Sequence, residues 1–336
     1  MNWIKLEHLV LKGHTDRPVT FDPVLDHRQL CEQALCLAGG LHRRKIEQVA
    51  IHLDDAAELA IALLGAWRAG VSVLLPADLQ AQTRQRWDAQ VDLWITSTVE
   101  LEALYEAPLC GAELDLDSCH LSLCTSGSSG EPKRIDKTLR KMANEVQALE
   151  QLWGAELGSA CIIASVAAQH IYGLLFRVLW PLCAGRSFVR NQLAFPEDMQ
   201  RVSREHHSFA WVASPAMLKR MADNLDWSAL SAVQRVFSSG GALPPEAAQA
   251  LHTRLGQWPT EIFGSSETGG IAWRQGHNLW QPFADVQLSQ SEDGALRIAS
   301  AYLPVGHVEL TADAARIEAD GRFELLGRLD RIVKLE

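Results

Sequence analysis

Leu121-Ser122-Leu123-Cys124-Thr125-Ser126-Gly127-Ser128-Ser129-Gly130-Glu131-Pro132-Lys133 reads as a short strand running into a small, polar, glycine-rich loop that ends on Pro-Lys. Beyond it Leu139, Met142, Val146, Leu149 and Leu152 recur at spacings of three and four, the mark of an amphipathic helix. Hydroxyls and backbone N–H groups in such a loop surround anionic oxygens, the glycines let the backbone come close, and the lysine adds positive charge. A flexible Ser/Gly connection would have no strand before it, no Pro-Lys after it and no helix beyond. The Walker pattern GxxxxGK[ST] is not met, because the lysine follows a proline and Arg134 comes next.

Working outward, Val49 to Leu53 reads as a buried strand, Ala56 to Ala69 as a helix closed by Gly70, and Val71 to Leu75 as the next strand. That order predicts a parallel sheet with crossover helices. Ile162 to Ala164 and Phe209 to Val212 are further strands, and Pro215 to Ala222 a helix. From about Asn278 the pattern changes to short alternating runs broken at Asp293-Gly294 and Asp320-Gly321, which read as hairpins. The expected fold is α/β, with layered, largely parallel sheets flanked by helices and a small antiparallel β-rich subdomain at the C-terminal end. Residues 1–277 form the core, as two subdomains that meet near 160, and residues 278–329 the β-rich part.

The 336 residues suffice for two or three packed units, and 47% hydrophobic with 21% charged residues is a globular balance. Arg68 and Arg177 interrupt the two longest apolar runs before either reaches the ~18–20 residues of a membrane span. The N-terminal residues lack a signal-peptide pattern, so a cytoplasmic location is expected. Seven cysteines without a CxxC pair argue against a disulfide framework or zinc site and read as buried, reduced thiols. A net charge of −10 disfavours nucleic-acid partners.

Two further motifs carry chemistry. In Phe263-Gly264-Ser265-Ser266-Glu267-Thr268-Gly269-Gly270, a carboxylate in a Gly/Ser loop suits Mg²⁺, and an aromatic at the entrance can stack on a purine. Further on, Asp313 could accept ribose hydroxyls and Arg328 could bind ribose or phosphate oxygens.

Taken in this order, the three motifs resemble the adenylate-forming superfamily of acyl-CoA synthetases, aryl-acid ligases, luciferases and peptide-synthetase adenylation domains. The resemblance runs from Val49 to the last residue. It implies that residues 1–277 bind nucleotide and acid, and that Thr125, Ser126, Gly127, Ser128, Ser129, Gly130 and Lys133 close over the ATP phosphates. It implies a turn against adenine at Gly240, Gly241 and Ala242, with Phe263 stacking on the base. Gly264 and Ser265 belong to the same nucleotide motif. Ser266 stands in place of a usual threonine beside the α-phosphate. Glu267 would be the Mg²⁺ ligand, Asp313 and Arg328 the ribose-side pair, and Asp330 the hinge, within 330–336, of a small C-terminal domain of ~100 residues. That lid domain, and the lysine it contributes, are expected to be absent from this chain, leaving it poorly active.

On the acid side the resemblance places His170, Tyr172 and Gly173 beside the pocket, with Ser214, Gly240 and Gly264 nearby. No aspartate for a substrate ammonium is seen, which favours a simple carboxylic acid, with an apolar acyl or aromatic tail, over an α-amino acid. The compact stretch before the phosphate loop resembles ligases that load fatty or hydroxybenzoate-type acids onto carrier proteins. The implied reaction joins the acid to the AMP portion of ATP, with CoA or the phosphopantetheine of an acyl carrier protein accepting the acyl group. Two alternatives are a non-catalytic module binding ATP or an acyl-adenylate, and a P-loop NTPase or kinase, which Pro132-Lys133 disfavours.

Overall fold

Val49, Ala50 and Ile51 are wholly buried, as a parallel strand covered on both faces requires. A computed structural model describes residues 3–11, 16–126, 132–221 and 224–329. A short antiparallel hairpin, β1 (Pro18–Phe21) with β2 (Val24–Asp26), precedes two larger sheets. The first has the order β5-β3-β4-β6-β7 and comprises β3 (Gln48–Ile51), β4 (Ser72–Leu75), β5 (Leu93–Ile95), β6 (His120–Ser126) and β7 (Pro132–Thr138). Its pairings are parallel except for β6 with β7. The crossover helix between β3 and β4, Ala56–Arg68, is capped by Asp55, whose carboxylate accepts the N–H groups of Ala57 and Glu58.

The second sheet has the order β13-β12-β11-β10-β9-β8. Its parallel strands are β8 (Cys161–Ala164), β9 (Phe209–Ala213), β10 (Val233–Ser238) and β11 (Thr260–Ser265). Two antiparallel strands, β12 (Gly269–Arg274) and β13 (Gln281–Pro282), complete it. The last sheet, β14 (Val286–Gln290), β15 (Ala295–Ser300), β16 (Glu309–Ile317) and β17 (Phe323–Arg328), is wholly antiparallel. Asp293-Gly294 and Asp320-Gly321 sit in its β14–β15 and β16–β17 turns, as the alternating pattern predicts. The architecture is the expected α/β layering with an antiparallel C-terminal sheet.

Several local expectations differ. A strand, β7, lies between the glycine-rich loop and the helix; its alternation of charged and buried residues hides it from an apolar count. Leu152 is exposed and Trp153 takes the buried place. Both lie within a turn of Leu149, and the larger ring fills the space between sheet and helix. The apolar run from Ile171 starts as one α-helical turn and becomes π-helical over Leu174–Leu179. All seven cysteines are free thiols, but Cys110 is exposed and Cys36 half-buried, so the expectation that all are buried is corrected. Among the described residues, no helix is long and apolar enough to cross a membrane.

The helix Leu139–Leu157 joins the first two sheets. Trp153 packs its ring 5.1 Å from Phe237 of β10, 5.9 Å from Trp273 of β12 and 6.0 Å from Phe283. One turn earlier, Glu150 accepts the Trp180 indole N–H at 2.7 Å and a hydrogen bond from the fully buried Arg186 at 2.6 Å. Trp153→Ala should therefore lower unfolding free energy by about 3–5 kcal/mol, the usual cost of emptying a large buried aromatic site, as read by urea denaturation.

Candidate active site

The glycine-rich stretch joins β6 to β7, whose facing ends pair Thr125 with Lys133 and Ser126 with Pro132. Gly127, Ser128, Ser129 and Gly130 lie outside the described residues, as does Asp330; Ser126 is described only as backbone. Thr125 is half-buried at the end of β6. On β7 alternate residues share a face, so Lys133, Ile135 and Lys137 point one way. Lys133 Nζ lies 2.8 Å from Glu267 Oε1. Four residues on, Lys137 Nζ donates to the Glu267 carbonyl at 3.2 Å. Lys137 is only 1% exposed; burial lowers its pKa, while the charge of Glu145 acts the other way.

Glu267 sits in the β11–β12 turn. Ser265 N–H donates to Thr268 Oγ1 at 3.1 Å, and Thr268 N–H donates back to Ser265 Oγ at 3.2 Å. This reciprocal pair holds Ser266 and Glu267 at the tip. Gly269 has φ +71°, and a Cβ there would stand 2.6 Å from the Glu145 carboxyl, so a side chain would strain the turn and displace that carboxyl. Burial alone would raise the Glu267 pKa, but the Lys133 hydrogen bond and charge hold it below the ordinary glutamate value. Lys133 is raised by the same contact.

Beside this turn opens a cavity of about 230 Å³, which gathers His170, Tyr172, Gly240, Gly264, Ser265 and Ser266 from the residues singled out in the sequence. Leu149, Leu175, Phe176, Ile262 and Phe283 supply an apolar wall. His170 is exposed at the rim; partial desolvation and the nearby His52 lower its pKa, so the ring is neutral at pH 7. Tyr172 donates its hydroxyl to the Ala213 carbonyl at 3.3 Å.

Other expected residues stand outside the cavity lining. Gly241 and Ala242 are exposed in the turn after β10. Gly240, which does line the cavity, has φ +86° and nothing within 4 Å of where a Cβ would sit, which leaves an open backbone edge. Phe263 is half-buried, its ring 5.5 Å from Trp280 and 6.1 Å from Phe323. Gly173 packs tightly under the Ala167 carbonyl, and the Ser214 hydroxyl caps the helix Pro215–Lys219 by accepting Met217 N–H. Asp313 and Arg328 are cross-strand partners on β16 and β17, with Oδ1 and Nη1 4.0 Å apart. The negative charge of Glu309, also on β16, is felt at Lys133, so the last sheet borders the same region.

Three residues near the site escaped sequence reading: Lys137, Glu145 and Tyr302. The signal for Glu145 was present, because it falls three residues after Met142 and four before Leu149 in the apolar stripe. Lys137 likewise occupies an inward strand position.

Residues 94–290 match the family described as AMP-binding enzyme. A 4-coumarate–CoA ligase of Rhodobacter capsulatus is 28% identical over 221 residues, 63% of this chain and 52% of that protein. The pyochelin synthetase PchE of Pseudomonas aeruginosa is 24% identical over 91% of this chain and 26% of its own length. The chain thus spans about half the length, or less, of these curated relatives. In fold, it superposes on the crystal structure of ATP-bound MatB from Rhodopseudomonas palustris with a TM-score of 0.82, covering 97% of this chain and 79% of that one at 15% identity. The matched segment holds Lys133, the Gly240 turn and Glu267 and covers more than half of the chain: the protein belongs to the AMP-binding enzyme family.

Proposed function

We propose that the chain binds ATP and a carboxylic acid and joins the acid to the AMP portion, releasing pyrophosphate, with a thiol of CoA or of a carrier-protein phosphopantetheine as the later acceptor. The observation that carries this reading is the 2.8 Å contact between Lys133, at the start of β7, and Glu267, whose turn neighbours Ser265, Ser266, Gly269 and Gly270 line an apolar cavity. It brings a phosphate-type cation and a metal-type carboxylate to one place, beside a pocket fit for an acid's tail.

The residues present suit Mg²⁺: the Glu267 carboxylate is ionised and partly exposed, and the Ser265 hydroxyl lies beside it, oxygen donors of the kind the ion takes, with Lys133 the partner it would exchange. When bound, the ion would neutralise charge on phosphate oxygens. In this reading Lys133 stabilises negative charge as pyrophosphate departs, and the base lies against the open edge at Gly240. The substrate carboxylate is ionised at neutral pH and attacks without a general base. His170, neutral at the rim, offers it a hydrogen bond. Asp313 and Arg328 are the proposed ribose-side pair.

Cavity size bears on the acid. A dry cavity of about 150 Å³ lined by Leu, Ile and Phe holds benzene. A volume of about 230 Å³ therefore favours a single aromatic ring or a short acyl chain over a long fatty tail.

Glu267→Gln should reduce acid-dependent ATP–pyrophosphate exchange on the order of 10²–10³-fold, as for loss of one charged transition-state group. Lys133→Ala should weaken MgATP binding in calorimetry by about tenfold or more. Exchange and binding unchanged in both variants would remove the reading.

His170 makes a separate prediction. As pH falls through its lowered pKa the imidazole gains a charge that attracts the acid, so the acid's KM should drop only once the pH is below about 6.5, the ordinary histidine value. His170→Ala should raise KM at pH 7 and flatten that profile, as measured by steady-state kinetics.

A further inference from the structure

Lys137 and Glu145 are two buried charges to which the proposed chemistry gives no task. Both follow the glycine-rich stretch, Lys137 on β7 and Glu145 within the helix Leu139–Leu157, and they are 1% and 4% exposed. They grip a single turn from two different elements. Lys137 Nζ donates to the Glu267 carbonyl at 3.2 Å. Glu145 Oε2 accepts Gly270 N–H at 2.9 Å, and its carboxyl lies against Gly269. Gly269 and Gly270 open β12 and face Ser265 and Gly264 of β11, so the grip runs from the tip of the turn to the strand that leaves it. Each charge is felt at the other, yet each spends its hydrogen bond on the turn's backbone.

Stability is a poor reason for such an arrangement. Two buried charges lose their hydration, and apolar side chains of similar size in their place are often neutral or stabilising. What a charge does here that an apolar side chain cannot is direct a backbone dipole. The Glu267 carbonyl and the Thr268 N–H belong to one planar peptide unit. Lys137 holds that unit at its oxygen, and Ser265 Oγ holds it at its nitrogen, accepting Thr268 N–H at 3.2 Å. With the plane fixed at both ends and the next strand fixed through Gly270, the Glu267 side chain leaves the backbone in one direction. A functional carboxylate has to stand within about 0.5 Å of its productive place. Lys133 cannot supply this, because it holds the carboxylate itself and has to release it when a metal ion arrives. Lys137 holds backbone and keeps its grip while the side chain changes partner.

Resting on the adenylation reading above, we infer that Lys137 and Glu145 are positioning residues for the metal: they aim the Glu267 carboxylate at the Mg²⁺ that accompanies the nucleotide, and their charges serve that aim rather than the stability of the fold.

Calorimetric titration of the full chain with ATP, once in Mg²⁺ and once in EDTA, tests this without turnover. The wild-type chain should bind ATP more tightly in Mg²⁺, and Glu267→Gln sets the floor of that ratio. Lys137→Met should lower the ratio by about tenfold or more, the usual loss when a partner that orients a metal ligand is removed, and leave the affinity in EDTA as it was. That variant strands Glu145 without its countercharge, so the double variant Lys137→Met with Glu145→Leu is the decisive one. Its Tm should equal or exceed that of Lys137→Met, while the Mg²⁺ ratio stays near the floor. A double variant with the wild-type ratio overturns the inference and leaves adenylation standing. Equal loss of affinity in Mg²⁺ and EDTA, or a double variant that does not fold, also overturns it, since the pair then serves the fold. A wild-type chain that binds no ATP, or gains nothing from Mg²⁺, removes the adenylation reading and this inference with it.

Discussion

The clasp between β7 and the β11–β12 turn brings two sheets together at one point. Lys133 holds the Glu267 carboxylate and Lys137 holds its carbonyl, so one strand grips the acidic turn by side chain and by backbone. Take away the clasp, and the glycine-rich hairpin and the cavity become features of separate sheets. The two grips differ in kind. Lys133 is more than half exposed, and an ion pair of that sort contributes little to stability. Lys137 is buried, and an unpaired ammonium there would be costly. The buried lysine thus fixes where the turn stands, while the exposed one remains exchangeable, free to turn toward an anion that offers more charge than one carboxylate.

The same division runs through the rest of the site. The Ser265–Thr268 pair and the crowded Gly269 give the turn one shape, and the Trp153 ring cluster locks the helix Leu139–Leu157 against the second sheet. These are rigid elements, and they carry Glu267 and Glu145. By contrast the surfaces proposed to meet a nucleotide, Gly240 to Ala242 and the Asp313–Arg328 pair, are open and solvated. Preorganisation is concentrated where charge would develop, and accessibility where a large ligand must enter.

Much of this was readable from residues alone, for definite reasons. β3 and β4 announced themselves because strands buried on both faces are continuous apolar runs, and the last sheet because Asp-Gly turns separate alternating ones. The pairing of Lys133 with Glu267 was legible only as a resemblance, since 134 residues of chain separate them and no local pattern encodes a long-range contact. β7 was hidden by its own chemistry: Lys133, Arg134, Asp136 and Lys137 look like a solvated loop, although one of the four is buried. Leu152 and Trp153 both satisfied helical spacing, and only packing against Phe237 and Trp273 decides between them.

Glu145 shows most clearly why tertiary context was needed. In sequence it is one of three glutamates in its helix, and the ordinary expectation is a solvated charge. In the fold it faces inward, and burial raises its pKa against the pull of Lys137 and the Gly270 N–H. A leucine there would complete the apolar stripe from Leu139 to Leu149 and spare the chain a desolvated carboxyl. A single hydrogen bond to Gly270 is a poor return for that cost, because a buried carboxyl has lone pairs for several donors. What the carboxyl does secure is position: it packs against Gly269 and accepts Gly270 N–H, so a helix that follows the glycine-rich hairpin braces the turn that carries Glu267, a contact that no local pattern of the sequence announces.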